Sequence, residues 1–257
     1  MKDYHDLEEK LFEEWEKKSK ILETENYEII KDGMMRRGAI NDDWDREVGG
    51  EYSLWEKAQL RLIMLTKENI DDLDKRHETG FDKNGNVNYK RFYSNYLRWV
   101  YCMLKPEMKD GDWKVKSFEE ASDFNKNREY LINETPLVRI NVKKQLGGSS
   151  IDDPTLKKYV RNYADEIVEQ ISLYGANILF CCEPHGIILG LIKEKILTDL
   201  EDVNNKGWMY YSPTNKVLVV HSYHPGLRHR THESVYNDLK DAYKDFLKLY
   251  PDFPLGK

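Results

Sequence analysis

The stretch HSYHPGLRHRTHES carries His221, His224, His229 and His232, four of the chain's seven histidines, with Arg228 and Arg230 between them. Imidazoles and guanidiniums at this density could bind a metal, grip an anion, form a catalytic loop or line a polar surface. Spacing counts against the metal reading. His221-x-x-His224 and His229-x-x-His232 lack the i, i+4 separation of H-E-x-x-H, and no cysteine or carboxylate pattern completes a zinc set nearby. DKNGNVNYKRF begins like a calcium loop at Asp82, Asn84 and Asn86, but Val87 and Tyr93 stand where the glycine and glutamate belong, so a turn is expected. Three cysteines fall short of an iron–sulfur set, and Cys181 and Cys182 read as core thiols. Neither a metal nor a cofactor is expected. His224 stands out because Pro225 restrains its backbone and Gly226 allows another segment to approach. Glu68 and Asn141 also matter, since each ends an apolar run. A carboxylate there is either solvated at a sheet edge or aimed into a cleft, and an amide there either reads a ligand or caps a turn.

Those residues need elements to hold them. RLIMLTKE (61–68), LVRINVKK (137–144), ANILFCCE (176–183) and KVLVVHSY (216–223) are short, aliphatic and polar at their carboxyl ends, which fits buried parallel strands. Between them TLKKYVRNYADEIVEQISLYG keeps a 3.6-residue apolar period and reads as helical. Thr231 can cap a last helix with Val235, Leu239, Ala242, Tyr243, Phe246 and Leu247 on one face. The expected fold is α/β: a three-layer sandwich with a central, mainly parallel four-stranded sheet flanked by helices. Residues 1–54 are expected as an N-terminal helical extension, with Leu7, Leu11, Trp15 and Leu22 on its apolar stripe, and residues 55–257 as the main domain. Ligands of open parallel sheets sit beyond the carboxyl ends of the strands. The histidine-rich loop leaves one such end, and Glu68, Asn141, Lys143, Lys144, Glu183 and His185 lie at the others.

Composition excludes several classes. With 40% hydrophobic residues and 12% aromatics the chain folds around a core. No apolar run approaches the roughly 20 residues needed to span a bilayer, so no membrane partner is expected. The acidic N-terminus is no secretory signal, and unpaired cysteines suit a reducing compartment, so a cytoplasmic location is expected. The net charge is −6, and the first 60 residues hold 10 basic against 17 acidic side chains. Bulk charge therefore opposes loose nucleic-acid binding and leaves room only for a local basic groove.

The order of these motifs resembles the uracil-DNA glycosylase superfamily over roughly residues 55–248. LTKEN places Glu68 at the acidic position of a motif of the type G-[QEKM]-[DEN]-P, VRIN ends a second strand in Asn141, and His224-Pro225-Gly226-Leu227-Arg228 stands where the family has H-P-S-P-L. The resemblance implies a glycosylase-like domain that hydrolyses the N-glycosidic bond of a flipped-out damaged or modified base in DNA. It implies Glu68 and His224 as catalytic residues, Glu68 facing the sugar and His224 donating to the leaving base. It implies Asn141 and Phe81 as base-binding residues, Leu227 or Arg228 as a wedge, and Lys143, Lys144 and Arg230 on phosphates. Thr66, Asn69 and Gly226 depart from the family's glycine, proline and serine. Those departures keep open a nucleic-acid or nucleotide-binding module without catalysis, and the histidine cluster keeps open a metal-dependent α/β hydrolase.

Overall fold

The computed structural model describes residues 2–22, 27–39, 46–69, 71–82, 86–87, 91–147 and 151–253. In chain order the elements are α1 (Tyr4–Leu22), β1 (Gly33–Met34), α2 (Glu51–Lys57), β2 (Leu62–Asn69) and α3 (Arg91–Leu104). A hairpin of β3 (Glu107–Lys109) and β4 (Asp112–Lys114) follows, then α4 (Phe118–Ser122), α5 (Phe124–Glu129) and β5 (Leu137–Leu146). The chain continues through α6 (Asp153–Asn162), α7 (Ala164–Tyr174), β6 (Ile178–Cys182) and α8 (Ile187–Lys195). It ends with β7 (Glu201–Asp202), β8 (Met209–Ser212), β9 (Val217–Ser222) and α9 (His232–Leu249).

Among the described residues, seven strands form one mixed sheet in the order β1-β5-β2-β6-β9-β8-β7. β5, β2, β6 and β9 pair in parallel, whereas β1, β8 and β7 join antiparallel at the margins. The sheet is therefore wider and more mixed than the four-stranded one expected. The added strands are two to four residues long, too short for an alternating pattern to show in sequence. Period-2 alternation divides the core in two. Leu62, Met64, Phe180 and Val220 face α3 and α9, while Ile63, Leu65, Val138 and Val219 face α1, α6, α7 and α8. No helix among the described residues is long and apolar enough to cross a membrane.

Among the described residues of 1–54, Tyr4, Leu11, Trp15 and Met34 pack into the core cluster shared with α6, α7 and α8. The buried stripe of α1 runs through Tyr4, Glu8, Leu11, Trp15 and Ser19, whereas Leu22 is exposed. The expected stripe went astray because its inner positions include a carboxylate and a hydroxyl. Glu8, with no solvent exposure, accepts from Met34 N at 2.7 Å, Tyr174 Oη at 2.7 Å and Arg76 Nη1 at 3.0 Å. Gly33 makes room for it: a Cβ there would lie 2.4 Å from Glu8 Oε1, and its φ of 141° suits only glycine. The long periodic segment expected to be helical forms two helices, α6 and α7, that meet at Tyr163, whose φ of −118° and ψ of 23° are not helical. Thr231 does cap α9, accepting from Ser234 N at 3.1 Å.

His5 bridges Glu8 Oε2 at 3.0 Å and Glu51 Oε1 at 2.9 Å, tying α1 to α2. Burial opposes its charging, but the bonds to Glu51 and Glu8 outweigh burial and raise its pKa above the usual histidine range. A histidine whose folded pKa is raised stabilises the fold fully below its unfolded pKa of about 6.5, and that stability is lost as pH rises through the folded value. The unfolding free-energy difference between wild type and His5→Gln should therefore shrink as pH rises above about 6.5, the unfolded value. Urea titrations across that range test this, and a constant difference would remove charge from the account.

Candidate functional site

Among the parallel strands, chain order against spatial order is second, first, third, fourth, so the connections reverse direction beside β2. A reversal of this kind opens a crevice at the carboxyl edge of an α/β sheet. In β5 the residues Val138, Ile140 and Val142 go to one core, leaving Arg139, Asn141 and Lys143 on the face toward α3. The register sets Arg139 beside Met64, Asn141 beside Thr66 and Lys143 beside Glu68. Two adjacent strands thus present a polar row that runs out to the carboxyl edge.

Asn141 is 1% exposed, and its Oδ1 accepts from Thr66 Oγ1. Glu68 lies with Oε2 at 3.6 Å from Lys143 Nζ, while its Oε1 is buried without a hydrogen-bond partner. The chain after β5 presses on this carboxylate at Gly147, where a Cβ would come within 1.9 Å of Oε2. Burial raises the Glu68 pKa, and the charges of Lys143 and Lys67 only partly offset it.

His224 folds back toward the same face. Its ring lies 5.5 Å from Phe92 of α3, and the Arg139 guanidinium lies 4.9 Å from that same Phe92 ring. Arg139 is fixed by Glu78 Oε2 at 2.8 Å, which also accepts from Tyr93 Oη at 2.7 Å. The loop holding His224 is pinned by Asn95 Nδ2 donating to the Pro225 carbonyl at 2.6 Å. Gly226 N donates to His224 Nδ1 at 3.1 Å, which fixes the neutral tautomer with Nε2 as the proton carrier. Burial first, then the positive charges of Lys67 and Arg139, pushes the His224 pKa down to about 4. His224 is therefore an uncharged donor near neutral pH. Tyr96 Oη, Arg139 Nε and Ser222 Oγ are further buried polar atoms without hydrogen-bond partners on this side of the sheet.

Other expected residues sit elsewhere. Lys144 is 0% exposed, paired with Asp32 and covered by Trp15 and Phe12, so it cannot reach a phosphate. The alternation that turns Lys143 toward the cleft turns Lys144 the opposite way. Arg230 donates to Ser234 Oγ at 2.5 Å and Asp238 Oδ2 at 2.7 Å, serving the start of α9. Glu183 accepts from the backbone of His185, Ile187 and Ile188 and caps α8, while His185 pairs with Asp153. Leu227 packs on the α3/α9 core, and Arg228 is exposed. Phe81 packs on that core and bridges to Val87, but the ring against His224 is Phe92. The expected turn at Asp82–Asn86 closes with Asp82 N donating to the Asn86 carbonyl at 2.8 Å, and residues 83–85 lie outside the described residues.

The four clustered histidines do not converge. His221 lines a separate cavity of about 160 Å³ with Trp208, Ser222 and Tyr223, and His229 is exposed. Among the described residues no three of His, Cys, Asp and Glu gather as a metal site. A larger cavity of about 500 Å³ opens at the opposite edge, before β2, β6 and β9, and its lining includes Arg61, Tyr211 and Tyr250 but no histidine. Sequence reasoning missed Arg139, Phe92, Tyr96 and Ser222. The polar positions of LVRINVKK and the Phe92–Tyr96 spacing on one helix face were the available signals.

Comparison with known families finds no family model that matches this chain, and comparison with curated proteins finds no match. The fold defines an α/β protein with a polar, partly buried row of side chains at the carboxyl edge of its parallel strands.

A nitrogen-detected imidazole titration should show His224 changing protonation near pH 4. Lys67→Met should move that midpoint upward, because it removes a repelling charge and leaves burial in place. A midpoint near 6.5, the ordinary histidine value, would place His224 in solvent and break up this site.

Proposed function

We propose that the protein hydrolyses the N-glycosidic bond of a nucleobase at the carboxyl edge of its sheet. The observation that carries this reading is the pairing, on one sheet face, of a buried carboxylate with an open oxygen (Glu68) and a buried amide (Asn141), with an uncharged histidine (His224) folded toward them. Cleavage leaves positive charge on the sugar and negative charge on the base. Glu68 offsets the first and orients water, as carboxylates do in glycoside hydrolysis. His224 donates Nε2–H to the second without first giving up a proton, and Asn141 reads the base edge with its amide. Phe92 offers a ring beside His224 against which a flipped base can stack. Lys143 and Arg228 remain as basic groups near the crevice, with Leu227 as the wedge.

A second reading has its own support. Lys144 and Arg230 are consumed by the fold, so the basic rim is smaller than a long duplex footprint needs. This favours a short or single-stranded nucleic acid, or a free nucleoside or nucleotide, over an extended duplex.

The test is single-turnover hydrolysis of oligonucleotides that each carry one modified base, with the matching nucleosides in parallel. Glu68→Gln and His224→Ala should each slow cleavage by roughly 100- to 1,000-fold, the loss seen when one oxyanion donor is removed. Asn141→Asp should change which base is cleaved. Because burial raises the Glu68 pKa, the wild-type rate should fall as acid protonates Glu68, starting above the ordinary carboxylate range. Cleavage that survives both Glu68→Gln and His224→Ala unchanged refutes the proposal, and binding without cleavage across the panel assigns the fold to recognition alone.

A further inference from the structure

On the outer side of the loop that carries His224, basic side chains gather, and among the described residues Arg230 alone of them has an acidic partner, Asp238. Arg91 begins α3 at the surface, and its Nη1 donates to the Leu227 carbonyl at 3.4 Å. Leu227 N in turn donates to the His224 carbonyl at 3.0 Å, so Arg91 is tied to the same turn that sets His224. Arg228 and His229, the next residues, are exposed. His232 opens α9, and after burial it is the charges of Arg98 and Arg91 that lower its pKa, with no acid acting the other way. Arg98 is already engaged with Ser122 Oγ at 2.7 Å, and Arg230 with Asp238. Among the described residues no carboxylate forms an ion pair with Arg91, Arg228, His229 or His232, and Glu233 beside them is exposed.

In a chain with a net charge of −6, acids are abundant, yet among the described residues none forms an ion pair with Arg91, Arg228 or His232. Arg91 and Arg228, held near one turn without a counter-ion, repel one another, and an arriving anion relieves that repulsion, while the uncharged His232 offers an N–H donor. Guanidinium forks match phosphate oxygens, and the amino end of an 18-residue helix adds partial positive charge at the same place. We propose that Arg91, Arg228 and His232 bind phosphodiester oxyanions of nucleic acid. The tether from Arg91 through Leu227 to His224 then sets the gripped backbone beside the base-handling crevice. The site rests on the nucleic-acid part of the reading above and not on bond cleavage.

Fluorescence anisotropy of the full chain with a short labelled single-stranded oligodeoxynucleotide tests it across a salt series. Arg91→Gln and Arg228→Gln should each lower the slope of log affinity against log salt by about 1, and the double variant should bind roughly tenfold more weakly at low salt. Lys17→Gln, the same charge change on the far exposed face of α1, should alter neither quantity. Unchanged affinity and slope in the double variant would overturn the proposal, as would an equal loss in Lys17→Gln, which would mean bulk charge. Competition with a 5′-nucleoside monophosphate gives the other arm. A double variant that loses only the mononucleotide keeps the phosphate but overturns nucleic acid as its source. Failure of hydrolysis in wild type alongside arginine-dependent binding would reject only the chemistry above, and intact hydrolysis with arginine-independent binding would reject only this site.

Discussion

Asp32 sits without solvent exposure, and its two carboxylate oxygens are divided between two tasks. Oδ1 accepts from the Lys144 ammonium and, at 3.0 Å, from Gln170 of α7, while Oδ2 accepts the backbone N–H of Asn141 at 2.8 Å. A buried ion left without its partner costs several kcal/mol, so neither Asp32 nor Lys144 can be given up alone. The pair joins the segment before β1 to the far end of β5, and Ile30 N donating to the Lys144 carbonyl at 3.0 Å continues the same seam. Trp15 and Phe12 of α1 cover the ammonium, so the N-terminal helix is needed to keep the pair dry. Asn141 owes its position to this arrangement, since Asp32 holds its backbone and Thr66 its side chain.

The same economy of charge sorts the polar residues at the carboxyl edge. Glu183 is absorbed by the amino end of α8, where three backbone N–H groups need an acceptor. Arg230 is absorbed by Ser234 and Asp238. Glu68 and His224 are treated otherwise. Each is half-buried against few opposite charges, and burial pushes both toward their neutral forms, the acid upward and the base downward. Shifts of that kind on two groups at one edge of a sheet mark a place where the fold leaves polar capacity unspent. Tyr96 Oη, Arg139 Nε and Ser222 Oγ, buried without hydrogen-bond partners, belong to the same description.

How much of this could be read in the chain depended on how local each determinant was. LIML, LVRI, ILFCC and VLVV are aliphatic because both faces of their strands are covered, and that shows in a short window. Thr231 and the apolar stripe of α9 are equally local. The strands β1, β7 and β8 were invisible because two to four residues carry no period, and their pairing comes from neighbours far along the chain. The stripe of α1 was misread because Glu8 and Ser19 are buried by partners that lie distant in sequence, such as Tyr174 and Gln145.

Sequence alone therefore determined the α/β character, the aliphatic strands and the residue types at their carboxyl ends, because these follow from side-chain period and backbone preference within a few residues. Tertiary structure decided which of those residues are available. Lys143 and Lys144 are adjacent and chemically identical, yet a strand's two-residue alternation sends one beside Glu68 and the other into a buried pair with Asp32. Phe92 and Arg139 lie far apart in the chain and meet only because α3 packs across β5. Burial and pairing depend on the whole molecule, and no short window of sequence contains them.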